Sequence, residues 1–198
     1  MRRLWLCVLM MPLLLTACGG TGEGNEEERL ALQARSDYLA CECFSGKAAI
    51  TADYGQRVYQ YELDFRADGQ ETVLTITAPE TVAGISARMG SQADSRLEYD
   101  GIMLETGTLD DSGLTPVSAV PAMLDGMKKG YLDHCVLEER EHGGWTLCLL
   151  IRDPELEPGR GVETLLWLDG ESFELLRGEI SRDGVCVIQC EFLSFTKE

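Results

Sequence analysis

From residue 44 onward the sequence alternates apolar and polar residues in short runs, each closed by a turn signal, and few folds accept that rhythm. Tyr59, Tyr61, Leu63 and Phe65 fall on one face of a strand, with Gln60, Glu62 and Asp64 on the other. Ala67-Asp68-Gly69 then reads as a hairpin turn, residues 73–78 as the next strand, and Pro79 as its end. Shorter strands are expected at 84–89, 96–99 and 102–105, the last two joined by Asp100-Gly101. Later runs at 132–141, 145–152, 162–168, 173–181 and 185–195 are separated by His142-Gly143-Gly144, a loop at 153–161, Asp169-Gly170 and Asp183-Gly184.

Two helices interrupt this pattern. Residues 26–40 carry a Glu-rich start and an imperfect apolar face of Leu30, Leu32, Ala34, Tyr38 and Leu39. Residues 117–129 form the second, with Ser118 as a cap, Pro121 in the first turn and Gly130 as the stop. Sequential antiparallel strands predict one large curved sheet. Several late strands are apolar on both faces, as in Leu165, Leu166, Trp167 and Leu168, and so need cover on both. The expected architecture is α+β, mostly antiparallel β. It is a curved half-barrel of about ten strands with helices packed on its concave side.

The N-terminus sets the location. Arg2 and Arg3 precede an apolar stretch from residue 4 to 15, too short to span a bilayer, then Leu15-Thr16-Ala17-Cys18. Charged start, apolar stretch and small residues make a secretory signal covering 1–17. The Leu-Thr-Ala-Cys run resembles the lipobox of bacterial lipoproteins. That resemblance implies cleavage before Cys18 and a diacylglycerol on its sulfur, with palmitate the expected kind of acyl chain. The alternative is an ordinary secreted chain cut near Ala17. Residues 18–28 read as a lipidated flexible tether reaching roughly 15–20 Å, and residues 29–198 as a single domain.

Loss of Arg2 and Arg3 leaves 15 basic against 34 acidic residues, a formal net charge of −19. Such a chain is a poor nucleic-acid binder and is repelled by anionic lipid surfaces. It should stand off the membrane that its lipid enters. Besides Cys7 and Cys18 there are Cys41, Cys43, Cys135, Cys148, Cys186 and Cys190, an even number that permits disulfides in an exported protein. Cys135 and Cys148 sit on opposite arms of an expected hairpin, where they could approach each other.

The succession Tyr61-Glu62-Leu63-Asp64-Phe65-Arg66-Ala67-Asp68-Gly69, Val73 to Pro79, Ala83-Gly84-Ile85 and Leu97-Glu98-Tyr99-Asp100-Gly101 resembles the LolA-like superfamily. The resemblance covers most of residues 28–196 and rests on a strand–turn–strand–proline rhythm. It implies a half-barrel with helices in its concave side and a role in handling lipids or lipoproteins. One branch of the superfamily, a spore-germination lipoprotein, instead docks a cell-wall enzyme. LolA itself is a soluble shuttle, whereas this chain carries Cys18. A stationary lipid-handling or partner-binding lipoprotein therefore fits better.

Catalytic chemistry is not evident. The two histidines, His134 and His142, stand in no nucleophile or metal motif. Cys41-Glu42-Cys43 is too tightly spaced for half of a zinc site with Cys186 and Cys190. The pairs Asp110-Asp111 and Glu138-Glu139 read as solvated acids. No enzyme activity, cofactor or metal is expected. The favoured function is non-catalytic binding of a lipid, acyl chain or lipoprotein, with Tyr59, Tyr61, Leu63, Phe65, Leu74 and Ile76 facing the ligand. The same face serves equally well as packed core. The alternative function is docking and regulation of an envelope or spore-cortex enzyme.

Overall fold

The structure, a computed structural model, describes residues 23–90, 95–107, 112–141 and 143–198. The signal segment, Cys18, the start of the tether, the Asp110-Asp111 pair and His142 lie outside the described residues.

The chain begins with α1 (Glu23–Ala40) and continues through β1 (Cys43–Asp53), β2 (Val58–Asp68), β3 (Glu71–Ala78), β4 (Ser86–Gly90), β5 (Ser95–Tyr99) and β6 (Ile102–Gly107). After α2 (Pro116–Lys129) come β7 (Tyr131–Glu139), β8 (Trp145–Arg152), β9 (Val162–Asp169), β10 (Leu175–Arg182) and β11 (Val185–Lys197). Among the described residues, eleven strands form one sheet in the order β6-β5-β4-β3-β2-β1-β11-β10-β9-β8-β7. Every pair is antiparallel. The first and last strands meet in the middle. The chain walks outward to the β6 edge, crosses through α2 to the β7 edge, and walks back.

Turn chemistry accounts for the hairpins. Asp68 Oδ1 accepts from the N–H of Gln70 and of Glu71, both at 2.9 Å. Asp100-Gly101 and Asp183-Gly184 both take positive φ, with Asp100 and Asp183 at 51°, as two-residue hairpin turns require. The fourth strand starts at Ser86 rather than 84, because Gly84 takes φ 89° in the turn after Pro79.

Both helices differ in detail from expectation. The first starts at Glu23, inside the range read as tether. It buries Ala31, Ala34 and Tyr38, while Leu32 and Leu39 are exposed. The second is capped by Thr115 rather than Ser118. Thr115 Oγ1 accepts from Ser118 N–H, and Ser118 Oγ accepts from Thr115 N–H at 3.2 Å, a reciprocal box. Pro116 takes the first helical position, which moves Pro121 beyond the first turn. Gly130 ends the helix with φ −65°, so it needs no left-handed backbone. A Cβ there would lie 2.3 Å from Ile151 Cγ2, and close packing excludes one.

Register defines the inner face, the side on which the helices pack. Leu149 pairs with Leu166, Leu166 with Gly178, Gly178 with Cys190, Cys190 with Ile50, and Ile50 with Tyr61. At Gly178 the absent side chain makes room for α2: a Cβ would stand 2.5 Å from Met123 Sδ. Tyr38 of α1 stacks on Phe44 at 5.2 Å, and its hydroxyl donates to Phe173 O at 3.0 Å. Phe195 and Phe192 extend this aromatic cluster to Phe65.

Candidate ligand-binding face

The helices cover the inner face unevenly. α2 packs against β1, β9 and β11, and α1 against α2, β7 and β8. Beyond β1 the inner face continues through two ladders. One runs Gly46, Phe65, Leu74, Ala87, Leu97, Leu104; the other runs Ala48, Leu63, Ile76.

The six expected ligand residues divide along this face. Leu63, Phe65, Leu74 and Ile76 are 1–7% exposed and belong to the core. Tyr59 and Tyr61, at the start of β2, remain accessible, Tyr59 at 37%. Tyr54 joins them across the β1–β2 turn. Ring centroids are 6.1 Å apart for Tyr54 and Tyr59, and 6.4 Å for Tyr59 and Tyr61. The Tyr54 hydroxyl donates to Leu114 O at 3.0 Å, which ties this ladder to the approach to α2. Burial, and then the neighbouring Tyr61 and Tyr59, push its pKa up. At the far end of the same face Leu97 is half-buried, and Tyr99, Ile102 and Leu104 are exposed. The face thus offers buried apolar residues in its middle and accessible aromatic and aliphatic residues around them. Tyr54, Leu97 and Tyr99 were not among the ligand residues expected from sequence. Leu97 and Tyr99 follow from the alternation of β5, whereas Tyr54 lies past a strand end and carried no periodic signal.

A concavity of about 710 Å³ lies between α1 and β7. Its lining mixes charged Glu27, Glu28, Arg35, Lys129 and Asp133 with apolar Ala31, Leu32 and Leu132. Among the described residues no cluster of three or more His, Cys, Asp or Glu side chains is placed to hold a metal ion. The six described cysteines are free thiols. Cys135 pairs in register with Leu149 and Cys148 with Val136, so the two point to opposite faces and cannot bridge. Burial, then the nearby Glu138, pushes the Cys148 thiol up to about 12. Cys190 is likewise pushed up to about 12, by burial first and Glu191 second. Neither presents a thiolate for chemistry. Among the described residues no helix is long and apolar enough to cross a membrane.

No protein-family model and no curated protein matches the sequence. Solved structures do match. One is a domain from Vibrio parahaemolyticus described as an outer-membrane lipoprotein-sorting protein, with TM-score 0.50 and 11% identity over 88% of this chain and 93% of that one. Another is a DUF1329 family protein from Desulfovibrio piger, with TM-score 0.50 and 9% identity over 89% and 93% of the two chains. At these identities the likeness establishes the fold alone. Among the described residues, a single eleven-stranded antiparallel sheet with two helices on one face gives the chain the half-barrel fold expected from its sequence, and it shares that fold with these solved structures.

Proposed function

We propose that this chain is a lipoprotein anchored through diacylglycerol on Cys18, and that its half-barrel binds an apolar chain, a lipid or the acyl group of a lipoprotein, without catalysis. The observation that carries this reading is the uneven helical cover. Tyr54, Tyr59, Tyr61, Leu97 and Tyr99 border an apolar inner face against which the two helices do not chiefly pack. Ligand sites are concave and mostly apolar with a few placed polar groups, and the tyrosine hydroxyls supply those. The lipobox-like run at 15–18 supports an extracytoplasmic position on the cell membrane.

Two measurements test it. Labelled palmitate should enter the full chain and be lost in Cys18→Ser. Native mass spectrometry of the gently extracted chain should find a co-purifying lipid, and a fluorescent long-chain fatty acid should bind and be weakened by Tyr61→Asp. A chain that carries no lipid and takes up no fatty acid overturns the ligand reading, whatever happens at Cys18.

A further inference from the structure

Helix α1 runs along the β7 edge in the opposite direction. At one end Glu27 Oε1 accepts from Leu137 N–H at 3.1 Å, and at the other Arg35 Nη2 donates to Gly130 O at 2.6 Å. The concavity of about 710 Å³ lies between these two contacts, and its size is usual for a ligand site.

Its two ends carry opposite charge. Glu27 and Glu28 stand at one end. Burial, then Glu27 and Glu28, raise the pKa of the Cys135 thiol, so the field of both carboxylates reaches into the concavity. Arg35 and Lys129 stand at the other end. Arg35 Nε and Nη2 are engaged by Met127 O and Gly130 O, which leaves the hydrogens of Nη1 for another acceptor. Asp133 also lines the space, but Arg152 holds it at 2.6 Å. From Glu28 to Arg35 the helix rises about 10.5 Å. The wall between them is apolar, with Ala31 and Leu32 from α1 and Leu132 from β7.

The β7 edge adds backbone groups. Leu137 N–H points away from β8, since it bonds to Glu27. Leu137 is opposite Leu147 and Cys135 opposite Leu149, with no irregularity between them. Cys135 therefore also turns its N–H and C=O outward, and it lines the concavity.

We propose that this concavity binds a short peptide with free termini, about three or four residues long, laid along β7 as an added antiparallel strand. Its ammonium group lies at Glu27 and Glu28, and its carboxylate at Arg35 and Lys129. The residue opposite Cys135 exchanges both backbone hydrogen bonds. An extended chain advances about 3.4 Å per residue, so three or four residues span about 10–14 Å and match the separation of the charges. The order of charges sets the direction, because a peptide running from Glu28 toward Arg35 runs against β7. Side chains on its inner side meet Leu32 and Leu132. The net charge of −17 disfavours acidic side chains on the ligand. A free acyl chain offers no cation to Glu28 and so lacks half of this complementarity. The site lies at the opposite edge of the sheet from the tyrosine ladder, so it stands independently of lipid binding there.

Calorimetric titration of the full chain in mild detergent with the peptide Ala-Leu-Leu-Ala tests the proposal. The free peptide should bind, and N-acetylation or C-amidation should each weaken it at least about tenfold through loss of a charge-assisted contact. Glu28→Gln leaves the bond between Glu27 and Leu137 in place. It should weaken the free peptide and narrow its advantage over the acetylated one. Hydrogen exchange of the Cys135 amide should slow when the peptide is bound. Tyr61→Asp should leave peptide binding unchanged. A chain that does not bind the free peptide overturns the proposal. So do equal affinities for free and capped peptides, a Glu28→Gln chain that discriminates as strongly as wild type, or a Cys135 amide that gains no protection. Loss of peptide binding in Tyr61→Asp overturns it too, because it would move the peptide to the tyrosine face.

Discussion

Arg35 of α1 closes the C-terminal end of α2: its Nε donates to Met127 O at 2.9 Å, and its Nη2 to Gly130 O at 2.6 Å. The last carbonyls of a helix lack partners within it and carry the negative end of its dipole. A guanidinium fork meets both needs. Partial burial lowers the pKa of Arg35.

Arg35→Met therefore leaves two carbonyls without this partner, with only Lys128 and Lys129 of the last turn still favouring the helix end. The expected loss is about 2 kcal/mol, from two charge-assisted hydrogen bonds in a partly buried place. Arg35→Lys keeps the charge but not the fork and should recover part of it. Urea unfolding followed by circular dichroism measures both. Equal stability of Arg35→Met and wild type would show that solvent serves these carbonyls as well.

Gly178 is where the sheet admits α2. A Cβ at this position would stand 2.5 Å from Met123 Sδ and 3.3 Å from Leu166 Cδ2. Gly178→Ala should cost about 1–3 kcal/mol by overpacking. Met123→Ala alone opens a cavity and costs about 2–5 kcal/mol. Together they should cost less than their sum, because the added methyl fills space that the methionine vacates. Thermal unfolding of the two single variants and the double variant reads this coupling, and strict additivity would place the two residues out of contact.

The sheet was legible because β2 alternates cleanly and its turn is Asp68-Gly69. Depth along a strand was not legible. Alternation assigns Tyr59, Tyr61, Leu63 and Phe65 to one face but does not say where helices cover that face. Cover is decided by residues such as Gly178 and Met123, distant in sequence. The cap of α2 was readable in Thr115-Pro116, a capping residue before a first-turn proline, but Ser118 in place of the usual Glu or Gln hid the box. On α1 the expected Ala34 and Tyr38 are buried, but Leu32 and Leu39 are exposed and close helix packing selects Ala31 in their place. The doubly apolar strands also misled. Trp167, on the outer face of β9, is covered by Arg177, whose guanidinium carbon sits 4.9 Å from its ring centre, and not by a second layer.

The thiols should divide by burial. Cys43, Cys148 and Cys190 are buried, whereas Cys41, Cys135 and Cys186 are half-exposed. In the native chain a maleimide at neutral pH should label the second group first and reach the first group only on the timescale of opening. Mild oxidation should yield no Cys135–Cys148 bridge, since their register sets them on opposite faces. Peptide mapping after labelling decides both points. Recovery of that bridge from folded protein would require a register shift of one residue between β7 and β8.

Acid should weaken the β9–β10 turn as pH falls from about 4 toward about 2. The Asp169 carboxylate accepts from the N–H of Ser172 at 2.9 Å, from the N–H of Glu171 at 3.0 Å, and from Arg140 at 2.6 Å. These contacts, the backbone N–H of Ser172 foremost, hold its pKa down to about 2 against an ordinary 3.8. The folded state therefore favours the ionised carboxylate, and between these two values the unfolded chain binds more protons. The stabilisation is complete above about pH 4 and disappears as pH falls through about 2, a contribution of about 2 kcal/mol. Asp169→Asn should lower stability at neutral pH by a similar amount and flatten the stability profile across that window. Parallel unfolding curves for the two proteins between about pH 2 and pH 7 would show this. A constant difference between them over the whole range would mean that the carboxylate's charge contributes nothing and that only its hydrogen-bond geometry matters.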